Sequence, residues 1–63
     1  MSLFRFVLTC SEPFQFAVLH DGRTVIDVVG KDRALDEINH SFYRDHEVFR
    51  WRVNNGRCSI WVA

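Results

Sequence analysis

The stretch FQFAVLHDGRTVIDVV (residues 14–29) decides the fold, because it holds two strand-forming runs separated by Asp21 and Gly22. Valine, isoleucine, phenylalanine and threonine favour strands. An Asp-Gly pair between such runs is typical of a type I′ hairpin turn, in which both loop residues need a positive φ. The stretch therefore predicts an antiparallel hairpin with strands at residues 14–20 and 23–29.

Neither face of this predicted hairpin is polar. Pairing across the turn gives one face Phe14, Phe16, Val18, Val25, Asp27 and Val29, and the other Gln15, Ala17, Leu19, Thr24, Ile26 and Val28. An antiparallel sheet with one solvated face normally alternates apolar and polar residues. Two interpretations stay open. Either a β-bulge, a strong twist or closure around a small core mixes the faces, or a partner or a second copy covers an apolar surface.

The segment before the hairpin, LFRFVLTC (residues 3–10), is rich in strand formers. It alternates imperfectly, with Phe4, Phe6, Leu8 and Cys10 on one side. We expect a further strand there, ended by the turn signal SEP at residues 11–13.

After Gly30 the hydrophobic period changes from two to that of a helix. The apolar residues Ala34, Leu35, Ile38 and Phe42 form one helical stripe. Asp32 fits the N-cap or the first turn, where an acidic side chain is favourable. The pattern predicts an amphipathic helix over residues 32–44.

The last segment, VFRWRVNNGRCSIWVA (residues 48–63), predicts a second hairpin around Asn55 and Gly56. One face pairs Val53 with Cys58, Trp51 with Ile60 and Phe49 with Val62, which makes a suitable core face. The opposite face pairs Arg52 with Ser59 and Arg50 with Trp61. The final strand, CSIWVA, carries no charge and no proline, so we expect it to be interior or paired with another chain.

These elements predict a single α+β domain over residues 1–63. Its order is βββαββ: a mostly antiparallel five-stranded sheet with one amphipathic helix packed on one face. With strands numbered in chain order, the arrangement 3-2-1-5-4 keeps every neighbouring pair antiparallel.

The net charge is zero, but it is unevenly distributed. Residues 11–47 hold eight acidic and four basic side chains, a net of −4, whereas Arg50, Arg52 and Arg57 are the only charged residues after position 47. A neutral total argues against extensive wrapping of nucleic acid, which depends on many basic contacts. The arginines and Trp61 on the outer face of the second hairpin are of the types enriched at protein–protein hot spots. We therefore predict partner binding by Arg50, Arg52, Arg57 and Trp61.

Catalytic, metal and cofactor motifs are absent from the sequence. His20, His40 and His46 do not have the spacing of metal ligands, and Cys10 and Cys58 form no CxxC pair. Two buried free thiols are the expected state of Cys10 and Cys58, and a single disulfide between them stays open as the alternative. There is no Gly-rich phosphate loop and no hydrolase or metalloprotease motif. The sequence thus predicts no enzyme, no cofactor, no metal and no small-molecule ligand.

The functional prediction is a small cytoplasmic protein-binding module that acts through its sheet face and the arginine- and tryptophan-rich hairpin. A regulator, an accessory subunit or a phage-type inhibitor docking on a larger complex would fit. The N-terminus does not resemble a signal peptide, and no apolar run reaches the roughly 20 residues of a membrane span. Two alternatives stay open: a nucleic-acid-binding protein that uses the same residues, and a structural homodimer paired through the last strand.

Overall fold

Two hairpins and two helices make up the chain. The computed structural model describes all residues from 1 to 63. In chain order the elements are α1 (Leu3–Thr9), β1 (Gln15–His20), β2 (Arg23–Val29), α2 (Lys31–Asn39), β3 (Val48–Asn54) and β4 (Arg57–Val62). The strands form one sheet in the order β2-β1-β4-β3, in which β1 and β4 are parallel and both hairpins are antiparallel. The α+β class is as predicted, but the sheet is mixed, with four strands instead of five, and there are two helices instead of one.

The segment predicted as the first strand, residues 3–10, is a helix. The Ser2 hydroxyl caps it by accepting a hydrogen bond from the Arg5 backbone N–H at 3.4 Å. Leu3 and Val7 of this helix are buried in the core, and Phe4, Phe6 and the C-cap residue Cys10 pack against it. Leu3, Phe6, Val7 and Cys10 share one side of the helix. These positions follow the i, i+3, i+4, i+7 spacing of a helical stripe. The strand prediction was wrong because it rested on the β-propensity of phenylalanine and valine, which packing overrides.

Without that strand, the predicted order 3-2-1-5-4 is also wrong. All six residues of β1 pair directly with β4, in a parallel register that starts at Gln15 with Arg57 and ends at His20 with Val62. The strand β4 therefore lies inside the sheet, as the prediction for CSIWVA allowed. Because both of its edges are occupied, a dimer formed by adding strands would have to use β2 or β3 instead of the last strand.

Both predicted hairpin turns are confirmed. Asp21 and Gly22 have φ values of 52° and 74°, and Asn55 and Gly56 have φ values of 52° and 77°. These are the two consecutive positive angles that a type I′ turn requires.

A β-bulge explains why the first hairpin lacks clean alternation. Val18 pairs with Ile26 and Leu19 pairs with Thr24, so Val25 is an extra residue without a partner. Because of the bulge, the side chains of residues 26–29 point to the opposite face from the one predicted. As a result, the helix-covered face holds Phe16, Val18, Ile26 and Val28, while Asp27 points to the other side. The predicted grouping of faces was wrong, and the bulge interpretation was correct.

The core lies between the sheet and the two helices, which cover the same face. Its members are Leu3, Val7, Phe16, Val18, Ile26, Val28, Ala34, Ile38, Cys58, Ile60 and Val62. Neither helix combines the length and the apolar character needed to cross a membrane.

The helix α2 is shorter than the predicted 32–44. It starts directly after Gly30, which is the N-cap, and Asp32 lies in the first turn, the second of the two positions expected for it. Ser41 ends it locally, because its hydroxyl donates to the Ile38 carbonyl at 2.9 Å and accepts from the Tyr43 N–H at 3.1 Å. Phe42, predicted to lie in the apolar stripe, is therefore outside the helix and 80% exposed.

Candidate functional site: the open face of the sheet

The face of the sheet that carries no helix is called the open face here. Successive side chains of a strand point to opposite faces, so the residues between the core positions point to it. They are Gln15, Ala17, Leu19, Thr24, Asp27, Val29, Arg50, Arg52, Asn54, Arg57, Ser59 and Trp61. All four residues predicted to bind a partner, Arg50, Arg52, Arg57 and Trp61, lie on this face.

Trp61 and Arg50 form a contacting pair on the open face. They are directly opposite each other in the register of β3 and β4, as the sequence predicted. The guanidinium carbon of Arg50 lies 4.7 Å from the centroid of the Trp61 ring, which is a cation–π contact. The contact restricts the conformation of this long cationic side chain.

A shallow depression adjoins this pair. It has a volume of about 260 Å³ and is lined by Arg52, Asn54, Arg57, Ser59 and Trp61. It lies below the range of roughly 300–1,000 Å³ typical of small-molecule sites. Its guanidinium, amide and hydroxyl groups are suited to carboxylates on another surface, since an arginine can bind a carboxylate through two parallel hydrogen bonds.

The positive charge of the open-face arginines is only partly neutralised. Arg57 forms an ion pair with Asp27, with 3.5 Å between Nη2 and Oδ2. The other oxygen of Asp27 accepts a hydrogen bond from the Gln15 amide at 3.1 Å. Arg50 and Arg52 take part in no ion pair. The β3 side of the open face therefore offers two cations without an acidic partner.

The first hairpin contributes less apolar surface than predicted. Ala17 points to the open face but is buried, and Leu19, the register neighbour of Trp61, is half-buried. Val29 is exposed at the far edge. The apolar surface that the first hairpin adds to the open face is therefore confined to Leu19 and Val29.

A second surface was missed by the sequence analysis. Phe49, Trp51 and Val53 were predicted to be core residues, but they are 66%, 58% and 46% exposed. Trp51 and Val53 do lie on the predicted face, opposite Ile60 and Cys58. The predicted pairing of Phe49 with Val62 is wrong, because a bulge gives that position to Val48. The helices cover β1, β2 and β4 but leave this side of β3 open, and the alternation of residues holds no signal for that.

The exposed side of β3 borders α1. The rings of Phe6 and Trp51 lie 5.7 Å apart. A depression of about 300 Å³ is lined entirely by apolar residues: Met1, Phe6, Val48, Phe49 and Trp51. The strand β3 thus presents arginines on one face and apolar side chains on the other.

Two of the histidines lie in an aromatic cluster, and both cysteines are free thiols. His20 is half-buried among aromatic rings, 5.3 Å from Tyr43 and 5.5 Å from His46 between ring centroids. No three histidine, cysteine or acidic side chains come together in a way that could hold a metal ion. Both thiols are free. Burial raises the pKa of Cys10 and raises that of Cys58 to about 11, which disfavours the nucleophilic thiolate.

Comparisons of the chain with protein families, curated proteins and solved structures give no match. No protein-family model matches it. No curated protein and no solved structure matches it either, so the chemistry of the open face is the main guide to function.

Proposed function

We propose that the protein is a small binding module that docks the acidic surface of a larger protein onto its open face. The observation that carries the proposal is the convergence of Arg50, Arg52, Arg57 and Trp61 on the one face of the sheet that no helix covers. A regulator, an accessory subunit and a phage-type inhibitor all act by such docking.

Three physical features favour a protein partner. Tryptophan and arginine are the side chains most often found at interface hot spots. The stacking of Arg50 on Trp61 lowers the entropy cost of ordering both side chains on binding. The unpaired charges of Arg50 and Arg52 complement carboxylates, which makes an acidic partner surface the best match.

A second candidate is single-stranded nucleic acid. An aromatic ring within a basic sheet face is a recognised platform for stacking bases. Here, however, Trp61 is the single aromatic residue of the open face, and Arg50 already covers its ring. Asp27 adds a negative charge beside Arg57. Few phosphate contacts are therefore available, and the protein partner is favoured.

The test is affinity capture of the tagged protein from a lysate of its native host, with and without nuclease, followed by affinity measurement with the purified partner. We expect the partner to survive nuclease. Replacing Trp61 by alanine should weaken its binding about 30-fold, equivalent to roughly 2 kcal/mol for a hot spot. The free energy of unfolding should fall by less than the roughly 3–5 kcal/mol of a fully buried tryptophan, because the ring is half-buried, and the affinity of the variant is compared on protein shown to be folded.

The matched controls are two exposed arginines. Arg52→Ala removes an open-face cation, whereas Arg33→Ala removes one from α2, on the opposite side of the sheet. We expect the first to weaken binding and the second to leave it unchanged. Equal effects of both variants, or loss of every captured protein after nuclease, would contradict the proposal. The latter result would favour the nucleic-acid candidate.

A further inference from the structure

The outer edge of β3 is only partly covered by the chain itself. Ser2 and Glu47 form a single antiparallel bridge just before β3, in which the Val48 N–H donates to the Met1 carbonyl at 2.9 Å. The chain then turns away into α1 at Leu3. Backbone pairing at this edge therefore begins but stops at Val48.

The rest of the edge, residues 49–54, has no backbone partner. β3 is the last strand of the sheet, and no turn or loop hydrogen bond reaches these residues. In an antiparallel ladder every second residue directs its N–H and C=O away from its neighbour strand. This segment contains no proline. It offers the unpaired groups to which an extended segment of another chain can add as a strand.

The two faces beside this edge are chemically different. On the open face lie Arg50 and Arg52, neither of which is in an ion pair. On the helix side lie Trp51 and Val53, both exposed. Because the side chains of an added strand also alternate, its residues would meet arginine on one face and apolar surface on the other.

A second copy of the chain does not fit this edge. If β3 paired antiparallel with its own copy around residues 50–54, Arg52 would lie opposite Arg52 of that copy, and Arg50 would lie diagonal to it. Like charges placed opposite each other destabilise a strand pair, and charged side chains are a common protection against such self-pairing. Carboxylates in the same positions would be attractive instead.

The other free edge, that of β2, is less suitable. The bulge at Val25 interrupts its regular pairing in the middle of the strand, and bulges twist an edge away from incoming strands. Its open-face charge, Asp27, is already paired with Arg57. In β3 the bulge lies near the start, between Val48 and Arg50, so the remainder is regular.

We propose that the edge of β3 at residues 49–54 binds an extended segment of the partner in which acidic and apolar side chains alternate. The segment becomes the fifth strand of the sheet, with its acidic side chains next to Arg50 and Arg52 and its apolar ones next to Trp51 and Val53. This inference rests on the proposed docking of an acidic partner and specifies how that partner is held.

The test is a nuclear magnetic resonance titration of the isotope-labelled protein with two synthetic peptides of identical composition. One alternates, acetyl-Glu-Val-Glu-Val-Glu-Val-Glu-amide, and the other is blocked, acetyl-Glu-Glu-Val-Val-Val-Glu-Glu-amide. The alternating peptide should bind about tenfold more tightly, since it alone makes several favourable cross-strand pairs at once. Its amide shifts and exchange protection should be concentrated at residues 49–54.

A variant and a peptide with reversed charges complete the test. The Arg52→Glu variant should lose its preference for the glutamate peptide and gain one for the alternating lysine–valine version. Equal binding of both glutamate peptides, with shifts centred on Trp61 and Arg57, would overturn strand addition but leave docking on the open face intact. Failure of the alternating peptide to bind at millimolar concentration would overturn the inference. A dimer of the free protein with protected amides at β3 would do the same.

Discussion

The two hairpins of this protein share a plan but differ in what covers their outer strands. Each turns through an Asx-Gly pair with two positive φ values, and each contains a bulge. Val28 of β2 and Val53 of β3 both point to the helix side of the sheet, yet Val28 is 7% exposed and Val53 is 46% exposed. The difference arises outside the hairpins, in the position of the helices.

The connection after each outer strand accounts for this asymmetry. The strand β2 runs through Gly30 straight into α2, and the φ of 96° at Gly30 lets the chain fold back over the strand it has just left. The strand β3 leads instead into the turn to β4 and has no helix of its own. Alternation along a strand therefore indicates which way a side chain points, but not whether anything lies above it.

The largest expected effect tests this comparison with matched valines. Val28→Ala should lower the free energy of unfolding by about 2 kcal/mol, because it removes buried methyl groups and leaves a cavity. Val53→Ala should cost less than about 1 kcal/mol, since solvent already reaches the side chain. Urea denaturation followed by tryptophan fluorescence measures both. Equal losses would mean that β3 is covered in solution.

A second prediction concerns alkaline pH and Cys58, which lies opposite Val53 but is fully buried. Burial raises the pKa of this thiol from 9.0 to about 11. Well below pH 9 the thiol is protonated in both the folded and the unfolded chain, so this group does not change stability there. As pH rises from 9 towards 11, the unfolded chain loses the proton first, and the free energy of unfolding should fall.

The control for the alkaline effect is Cys58→Ala, which has no thiol at this position. Its stability should fall less steeply over the same pH interval, whatever its stability at neutral pH. Identical slopes for the two proteins would show that Cys58 is accessible to water, and that exposure of β3 extends to the inner strand of its hairpin.

The two hairpin turns should lose the same stability when their glycines are replaced by alanine. Gly22 and Gly56 have φ values of 74° and 77°, and a Cβ added at either would meet no atom within 4 Å. Replacement by alanine should therefore cost only backbone strain, about 1 kcal/mol in each hairpin. Thermal denaturation of both variants checks this. A large difference between them would mean that the two turns are not equivalent, despite their matching angles.

The smallest effect is expected for the ion pair that links the hairpins. Asp27→Asn removes the carboxylate beside Arg57, and the free energy of unfolding should change by no more than about 0.5 kcal/mol, because the pair is exposed. The same substitution releases Arg57 and should slightly tighten binding of the alternating glutamate peptide at low salt. Weaker binding by this variant would indicate that Asp27 itself contacts the ligand.

The sequence was most informative about the features that short stretches of the chain determine. The turns at Asp21-Gly22 and Asn55-Gly56, the register of Arg50 with Trp61 and the existence of α2 all follow from a few adjacent residues. The grouping of the four predicted residues on one face follows from the same register. Whether a partner binds there stays a prediction.

Other features depend on packing between distant segments, and these were predicted poorly. Residues 3–10 carry both a helical stripe and strand-forming side chains, and the choice is made by burial of Leu3 and Val7 against the sheet. The bulge at Val25 could be suspected from the two apolar faces but not located. The exposure of Trp51 depends on where α1 ends and on how far the helices extend over the sheet, which no residue of β3 encodes.

The parallel contact between β1 and β4 also has a consequence for how the chain folds. Each hairpin joins residues close in sequence and can form within microseconds, whereas pairing β1 with β4 closes a loop of roughly forty residues. Contacts of such long range slow folding. We therefore expect two early hairpins and a late transition state in which β1 and β4 meet, so that substitutions at Val18 or Ile60 would slow folding more than substitutions at the outer strands.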